Sequence, residues 1–165
     1  MQPSRETALG IFDKAMETER EGIKVYEEAA VKVQDVKARE IFRMLAKAEH
    51  KHLRDIEKIK EDDRYVYSSY AWKGDFVSEI GKEIEAIGRQ YLPKSTNEII
   101  SASALDAINR GIKLEEDSIA FYSDAKTKLT DPGAATLFGI LLTTERVHLF
   151  LLELEKDIIT GIKRT

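Results

Sequence analysis

The fold of this chain is decided by a stretch of sequence that occurs twice. Residues 38–53 read AREIFRMLAKAEHKHL, and residues 134–149 read AATLFGILLTTERVHL. The two stretches lie 96 residues apart and share identical residues at six of their sixteen positions. The same spacing continues upstream without a gap, where it pairs Glu19 with Glu115, Tyr26 with Tyr122 and Asp35 with Asp131. An internal repeat of this kind predicts two related structural units.

Within each copy, one set of residues recurs at alternating spacings of four and three, which is typical of a helix with one inward-facing stripe. In residues 38–59 this stripe comprises Ala38, Phe42, Leu45, Glu49, His52, Ile56 and Ile59. We therefore predict an all-α four-helix bundle built from two helical hairpins, about residues 4–61 and about residues 97–162. A long crossover connection, about residues 62–96 with one short helix, is expected to join them.

The composition limits the kind of protein and the kind of site. The 165 residues are 34% charged and 42% hydrophobic, carry a formal net charge of −4 and include no cysteine. That length suits one domain, and the mixture of both charge signs argues against nucleic-acid binding. Without cysteine there is no disulfide, iron–sulfur cluster or Cys-ligated zinc, so metal chemistry must rest on Asp, Glu and the three His.

Two further features bear on location. The longest wholly apolar run is the six residues Leu137–Leu142, which is too short to cross a bilayer. The first residues show neither the apolar stretch nor the cleavage site of a signal peptide. We expect a cytoplasmic protein that does not associate with membranes.

Six polar residues interrupt the stripes at positions where hydrophobic residues are expected. They are Glu19, Glu49, His52, Glu115, Glu145 and His148. Four carboxylates in one core would repel one another and would lose much of their hydration energy unless cations compensate. No Lys or Arg shares the stripes beside them, so two divalent metal ions are the simplest partners. A solvated charged face is the alternative interpretation.

The spacing of these residues indicates which metal they would bind. Glu-x-x-His occurs twice, at Glu49/His52 and Glu145/His148, and places both side chains one helical turn apart on one face. A lone Glu lies 30 residues before each pair. This ligand set is that of di-iron and di-manganese carboxylate bundles. Such a ligand set suits two ions of iron or manganese, with zinc also possible.

Two tyrosines and the third histidine complete the candidates. Tyr26 and Tyr122 stand two helical turns beyond the lone glutamates. A buried phenol needs a hydrogen-bond partner, and a metal-binding carboxylate from the opposite hairpin would serve; a backbone acceptor is the alternative. His50 lies off the stripe and is expected at the surface.

Together these motifs resemble the rubrerythrin-type branch of the ferritin-like superfamily. The segments that carry the resemblance are Glu19–Tyr26, Glu49–His52, Glu115–Tyr122 and Glu145–His148. The resemblance implies a single ferritin-like domain with a non-haem di-iron centre that reacts with oxygen or peroxide. It further implies bridging roles for Glu49 and Glu145, terminal roles for Glu19 and Glu115, and one iron each for His52 and His148.

The chain departs from rubrerythrins in two respects. It lacks their Cys-ligated rubredoxin domain, so we expect its electrons to come from a separate donor protein. Rubrerythrins also carry an additional glutamate on the third helix, where this chain has Ser118 one turn after Glu115. Homodimers are common in the superfamily, and we expect one here.

The function implied by the resemblance is that of an oxidoreductase of the peroxidase or ferroxidase type. Such a protein reduces peroxide or dioxygen, or oxidises Fe(II), and takes part in the response to oxidative stress. Two other hypotheses remain open at this point. One is a non-enzymatic protein that buffers, stores or delivers iron, and the other is a helical scaffold whose metals are structural.

Overall fold

Two pairs of long helices form the part of the chain described by the computed structural model, residues 5–61 and 102–161. The four helices are α1 (Arg5–Lys32), α2 (Val36–Glu61), α3 (Ala102–Lys128) and α4 (Pro132–Thr160). No strand occurs in these two ranges. The predicted all-α four-helix bundle is therefore confirmed. The crossover connection predicted at residues 62–96, with its short helix, lies outside the described residues.

The turn inside each pair is fixed by an aspartate. Asp35 Oδ1 accepts a hydrogen bond from the backbone N–H of Ala38 at 2.7 Å, and Asp131 Oδ1 accepts one from Ala134 at 2.8 Å. Each bond satisfies an amide that the first turn of a helix leaves without a partner. The chain can thus reverse within three residues, which sets α1 beside α2 and α3 beside α4 in the same register.

The core consists of two apolar clusters with a polar layer between them. One cluster gathers the start of α1, the ends of α2 and α3 and the start of α4, around Phe12, Tyr122 and Phe138. The other gathers the opposite helix ends, around Tyr26 and Phe42. The repeat relates the two clusters to each other, because Tyr26 and Phe42 in one correspond to Tyr122 and Phe138 in the other. The repeat is therefore a two-fold relation in space, and the polar layer lies at its centre.

Helix α4 is long and apolar enough to span a membrane by length and composition, with a mean hydropathy of 1.4 in its most apolar stretch. Half of that stretch is buried inside the bundle. The same helix also carries the buried residues Glu145, His148 and Glu155. Since a core helix needs an apolar surface toward its neighbours, the packing of α4 accounts for its hydropathy.

Candidate metal centre

The polar layer brings together all six residues that the stripes single out. Each helix contributes to it, and every one of the six residues is at least 97% buried. Their ligand atoms form two groups, and within each group the atoms lie within 4.8 Å of one another. The groups are Glu19, Glu49, His52 and Glu145, and Glu49, Glu115, Glu145 and His148. The two groups share Glu49 and Glu145, so the layer has the form of two adjoining sites.

The first site is centred on the Nδ1 atom of His52. Three carboxylates from three helices surround this nitrogen. It lies 3.1 Å from Glu49 Oε2, 3.3 Å from Glu19 Oε2 and 3.4 Å from Glu145 Oε1. A ring nitrogen carries at most one proton, so it can satisfy only one of these oxygens at a time.

The second site repeats this arrangement around His148. Its Nδ1 atom lies 3.0 Å from Glu145 Oε2, 3.3 Å from Glu49 Oε1 and 3.6 Å from Glu115 Oε1. Glu49 and Glu145 each place one oxygen near His52 and the other near His148. Each of these two carboxylates therefore spans both sites, which is the placement that a bridging ligand requires.

Four buried carboxylate oxygens in this layer have no hydrogen-bond partner. They are Glu19 Oε2, Glu49 Oε1, Glu115 Oε2 and Glu145 Oε1, one from each glutamate. A buried carboxylate oxygen without a proton or a cation destabilises the fold, because no interaction in the protein compensates for its lost hydration. No Lys or Arg is among the buried polar residues of the described ranges. Two divalent cations would satisfy the four oxygens and cancel their charge, so the residues fit a two-metal site.

The pKa directions show the same demand for positive charge. Burial and the neighbouring carboxylates raise the pKa of Glu19 and Glu115 well above the usual value. Burial alone would lower the pKa of His52 and His148, but the surrounding carboxylates outweigh it and raise both well above the usual value. These directions mean that the layer favours bound positive charge, whether protons or cations supply it.

Each lone glutamate is held by a tyrosine from the opposite hairpin. The hydroxyl of Tyr26 donates to Glu115 Oε1, and the hydroxyl of Tyr122 donates to Glu19 Oε1. Both phenols are fully buried, and burial with the nearby carboxylates raises their pKa, so they stay protonated and act as donors. The bond fixes Oε1 of each glutamate, and Oε2 is left without a hydrogen-bond partner.

The comparison with known families agrees with this geometry. Residues 4–60, which include almost all of α1 and α2, match the family model described as Rubrerythrin. The first hairpin is therefore similar to the rubrerythrin family. No curated protein and no solved structure gives a match. The family match ends before α3. The repeat places Glu115, Glu145 and His148 at the positions equivalent to Glu19, Glu49 and His52 of the first hairpin.

The third histidine lies away from the polar layer. His50 is exposed on α2, and its Nε2 atom is 3.0 Å from Glu27 Oε1 on α1. The contact ties the outer faces of the two helices together. As an exposed pair, it contributes little to stability.

Two residues on the inner faces of the helices were not singled out by the sequence. Gly22 lies one turn after Glu19, and a Cβ atom at this position would stand 3.1 Å from Glu49 Cγ. Glu155 continues the stripe of α4 beyond His148 and is 97% buried at the end of the bundle. The stripe register of α4 could have revealed Glu155, whereas the tight contact at Gly22 depends on where Glu49 points.

Proposed function

We propose that this chain is a di-iron oxidoreductase that reduces hydrogen peroxide or dioxygen, or oxidises Fe(II). The observation that carries the proposal is the set of four unpartnered, buried carboxylate oxygens gathered around two imidazole nitrogens. Oxygen-rich ligation with one imidazole per ion suits iron or manganese. The rubrerythrin match of the first hairpin favours iron.

In this proposal, each residue has a role toward two ions. His52 and Glu19 would hold one ion, and His148 and Glu115 the other, while Glu49 and Glu145 would bridge them. Two bound ferrous ions supply two electrons, the number that reduces hydrogen peroxide to two water molecules when two protons are added.

The protein's own residues prepare the site for this chemistry. The near-complete burial of the six side chains excludes bulk water, which strengthens the electrostatic interactions among them. The tyrosine hydroxyls keep the lone glutamates oriented, so these carboxylates need not reorganise before metal binds. Because both phenols remain protonated, they can also keep a hydrogen bond on a carboxylate whose charge changes during the reaction.

We further propose that a separate electron donor protein reduces the centre between turnovers. The support is compositional, since the chain has no cysteine and therefore no iron–sulfur cluster of its own. The expected homodimer and the cytoplasmic location stay predictions from the sequence.

The test is anaerobic loading with Fe(II) followed by hydrogen peroxide or dioxygen. We expect two ions per chain, rapid oxidation and repeated turnover when a chemical reductant is supplied. The variant Glu49→Gln should lose metal and reactivity, and Glu116→Gln, an exposed control on α3, should retain both. Single-round oxidation without turnover would contradict the enzyme, and uptake of many ions per chain would favour iron storage instead.

A further inference from the structure

A groove runs between α1 and α3 on the outside of the metal centre. It encloses about 620 Å³, which is ample for a small molecule. Both helices contribute to its walls, and no residue of α2 or α4 lines it. Helices α1 and α3 carry the lone glutamates, Glu19 and Glu115, so the groove lies on the side of the centre that these two glutamates occupy.

The lining of the groove follows the internal repeat. Four of its residue pairs are separated by 96 positions, namely Lys14 with Arg110, Thr18 with Leu114, Glu21 with Asp117, and Val25 with Phe121. A groove built from such pairs lies across the two-fold relation of the bundle. The polar layer lies on the same relation, so the groove points at the middle of the layer.

The groove ends at a small residue. Ser118, one helical turn after Glu115, is 96% buried and still lines the groove. Its equivalent in the first hairpin is Gly22, which has no side chain at all. One turn of helix, about 5.4 Å, separates these positions from the lone glutamates. Gly22 and Ser118 are thus the small residues one turn from the lone glutamates, and Leu114, which also lines the groove, has its Cδ2 atom 3.7 Å from where a Cβ at Gly22 would stand.

The charges along the groove indicate what could pass. Lys14, Arg110 and Lys113 line it together with Glu21 and Asp117. Lys113 forms an ion pair with Asp117, and Lys14 forms one with the neighbouring Glu17. The rim therefore carries both charge signs in balance, and an uncharged molecule can pass it without electrostatic cost. The inner walls are partly apolar, with Val25, Leu114 and Phe121, which also suits a small neutral molecule.

We propose that the groove between α1 and α3 is the entry path for a small uncharged oxidant, hydrogen peroxide or dioxygen, and that Ser118 sets its width at the narrow end. The inference rests on the proposed di-iron function. It assigns Ser118 a gating role through its size and gives it no bond to metal or oxidant.

The test compares three variants of one helix. Ser118→Leu fills the end of the groove, Ser118→Ala removes the hydroxyl but keeps the space, and Ser123→Leu makes the same substitution at an exposed position outside the groove. Two readouts are taken besides turnover. They are the number of Co(II) ions bound per chain, and the association rate of nitric oxide, an uncharged diatomic probe, with the Fe(II)-loaded protein.

We expect Ser118→Leu to bind two Co(II) ions but to slow both nitric oxide association and oxidation by peroxide at least tenfold. Ser118→Ala and Ser123→Leu should stay within twofold of the unmodified chain. If Ser118→Leu fails to fold, Val25→Trp on the groove wall should give the same slowing. Rates in the blocked variant equal to those of Ser123→Leu would overturn the entry path.

The outcomes also separate this inference from the proposed function. An unmodified chain that binds fewer than two ions, or that does not react with oxidant, would overturn the di-iron function itself, and the entry path with it. A chain that binds two ions and reacts, but is indifferent to Ser118→Leu, would overturn the entry path alone.

Discussion

The two hairpins place the same ligands in the same geometry but differ in the residues beside those ligands. The distances from each histidine to its three carboxylates agree within 0.3 Å between the two sites. One turn after the lone glutamate, however, the first hairpin has Gly22 and the second has Ser118. Near the end of the stripe, Ile59 in the first hairpin corresponds to the buried Glu155 in the second. The residue types of the polar layer are the same in both hairpins, whereas the residues that pack beside this layer differ between them.

The symmetry of the centre predicts equal and separable losses when either histidine is removed. His52→Ala and His148→Ala should each lower metal binding from two ions per chain to one, because each imidazole belongs to one site. His50→Ala, an exposed neighbour of the first ligand, should bind two. Metal analysis after Co(II) or Fe(II) titration measures the result. Loss of both ions from only one of the variants would show that the sites are not equivalent.

The crossed tyrosines predict a second, smaller pair of equal effects. Tyr26→Phe and Tyr122→Phe each leave one oxygen of a lone glutamate without its donor, so we expect about a 10–100-fold lower metal affinity in either variant, as for other residues that orient ligands. Thr127→Val, which removes an exposed hydroxyl from α3, is the control. The measurement is a competition titration with a chelator. Unchanged affinity in both variants would mean that the phenols do not orient the glutamates.

The stripes and their period were enough to predict the bundle, because a spacing of four and three has one structural meaning over many turns. Glu19, Glu49 and His52 could be singled out because charge on such a stripe needs an explanation. Other features were out of reach. The close approach of Glu49 to Gly22 depends on the direction of the Glu49 side chain. The groove at Ser118 depends on the distance between α1 and α3. Neither quantity can be read from the local sequence.

Glu155 shows a different limit of the sequence. The repeat directs attention to residues that recur, and the counterpart of Glu155 is Ile59, so the comparison of the two halves conceals it. The stripe alone would have included it, since it lies seven residues after His148. A repeat thus identifies shared chemistry and hides what one copy has acquired separately.

Gly22 offers a way to disturb one half of the centre by adding a single carbon, and Ser118, its equivalent in the second hairpin, provides the comparison. Gly22→Ala places a Cβ atom 3.1 Å from Glu49 Cγ, so this carboxylate must shift by a few tenths of an ångström. We expect a several-fold loss of metal affinity, although the higher helix propensity of alanine, about 1 kcal/mol, favours the fold. Ser118→Ala should change neither the metal affinity nor the thermal stability. Chelator competition and thermal unfolding of the metal-free chains separate the two effects, and equal affinity in the two variants would contradict the contact.

The smallest expected effect concerns the pH dependence of Glu155, which has no counterpart in the first hairpin. Burial and then Asp35 raise the pKa of this carboxyl, while Lys37 opposes them. A raised pKa in the folded state means that folding favours the protonated carboxyl. The contribution of this group to the free energy of unfolding is therefore fully present below the unfolded pKa of about 4.3. It is lost as the pH rises through the pKa of the folded state. Glu155→Gln should therefore raise Tm by a few degrees at neutral pH and by nothing near pH 4, with metal loading held constant. Glu153→Gln, on the same helix, is the control, and a stabilisation that persists unchanged at low pH would show that the charge of Glu155 is not its cause.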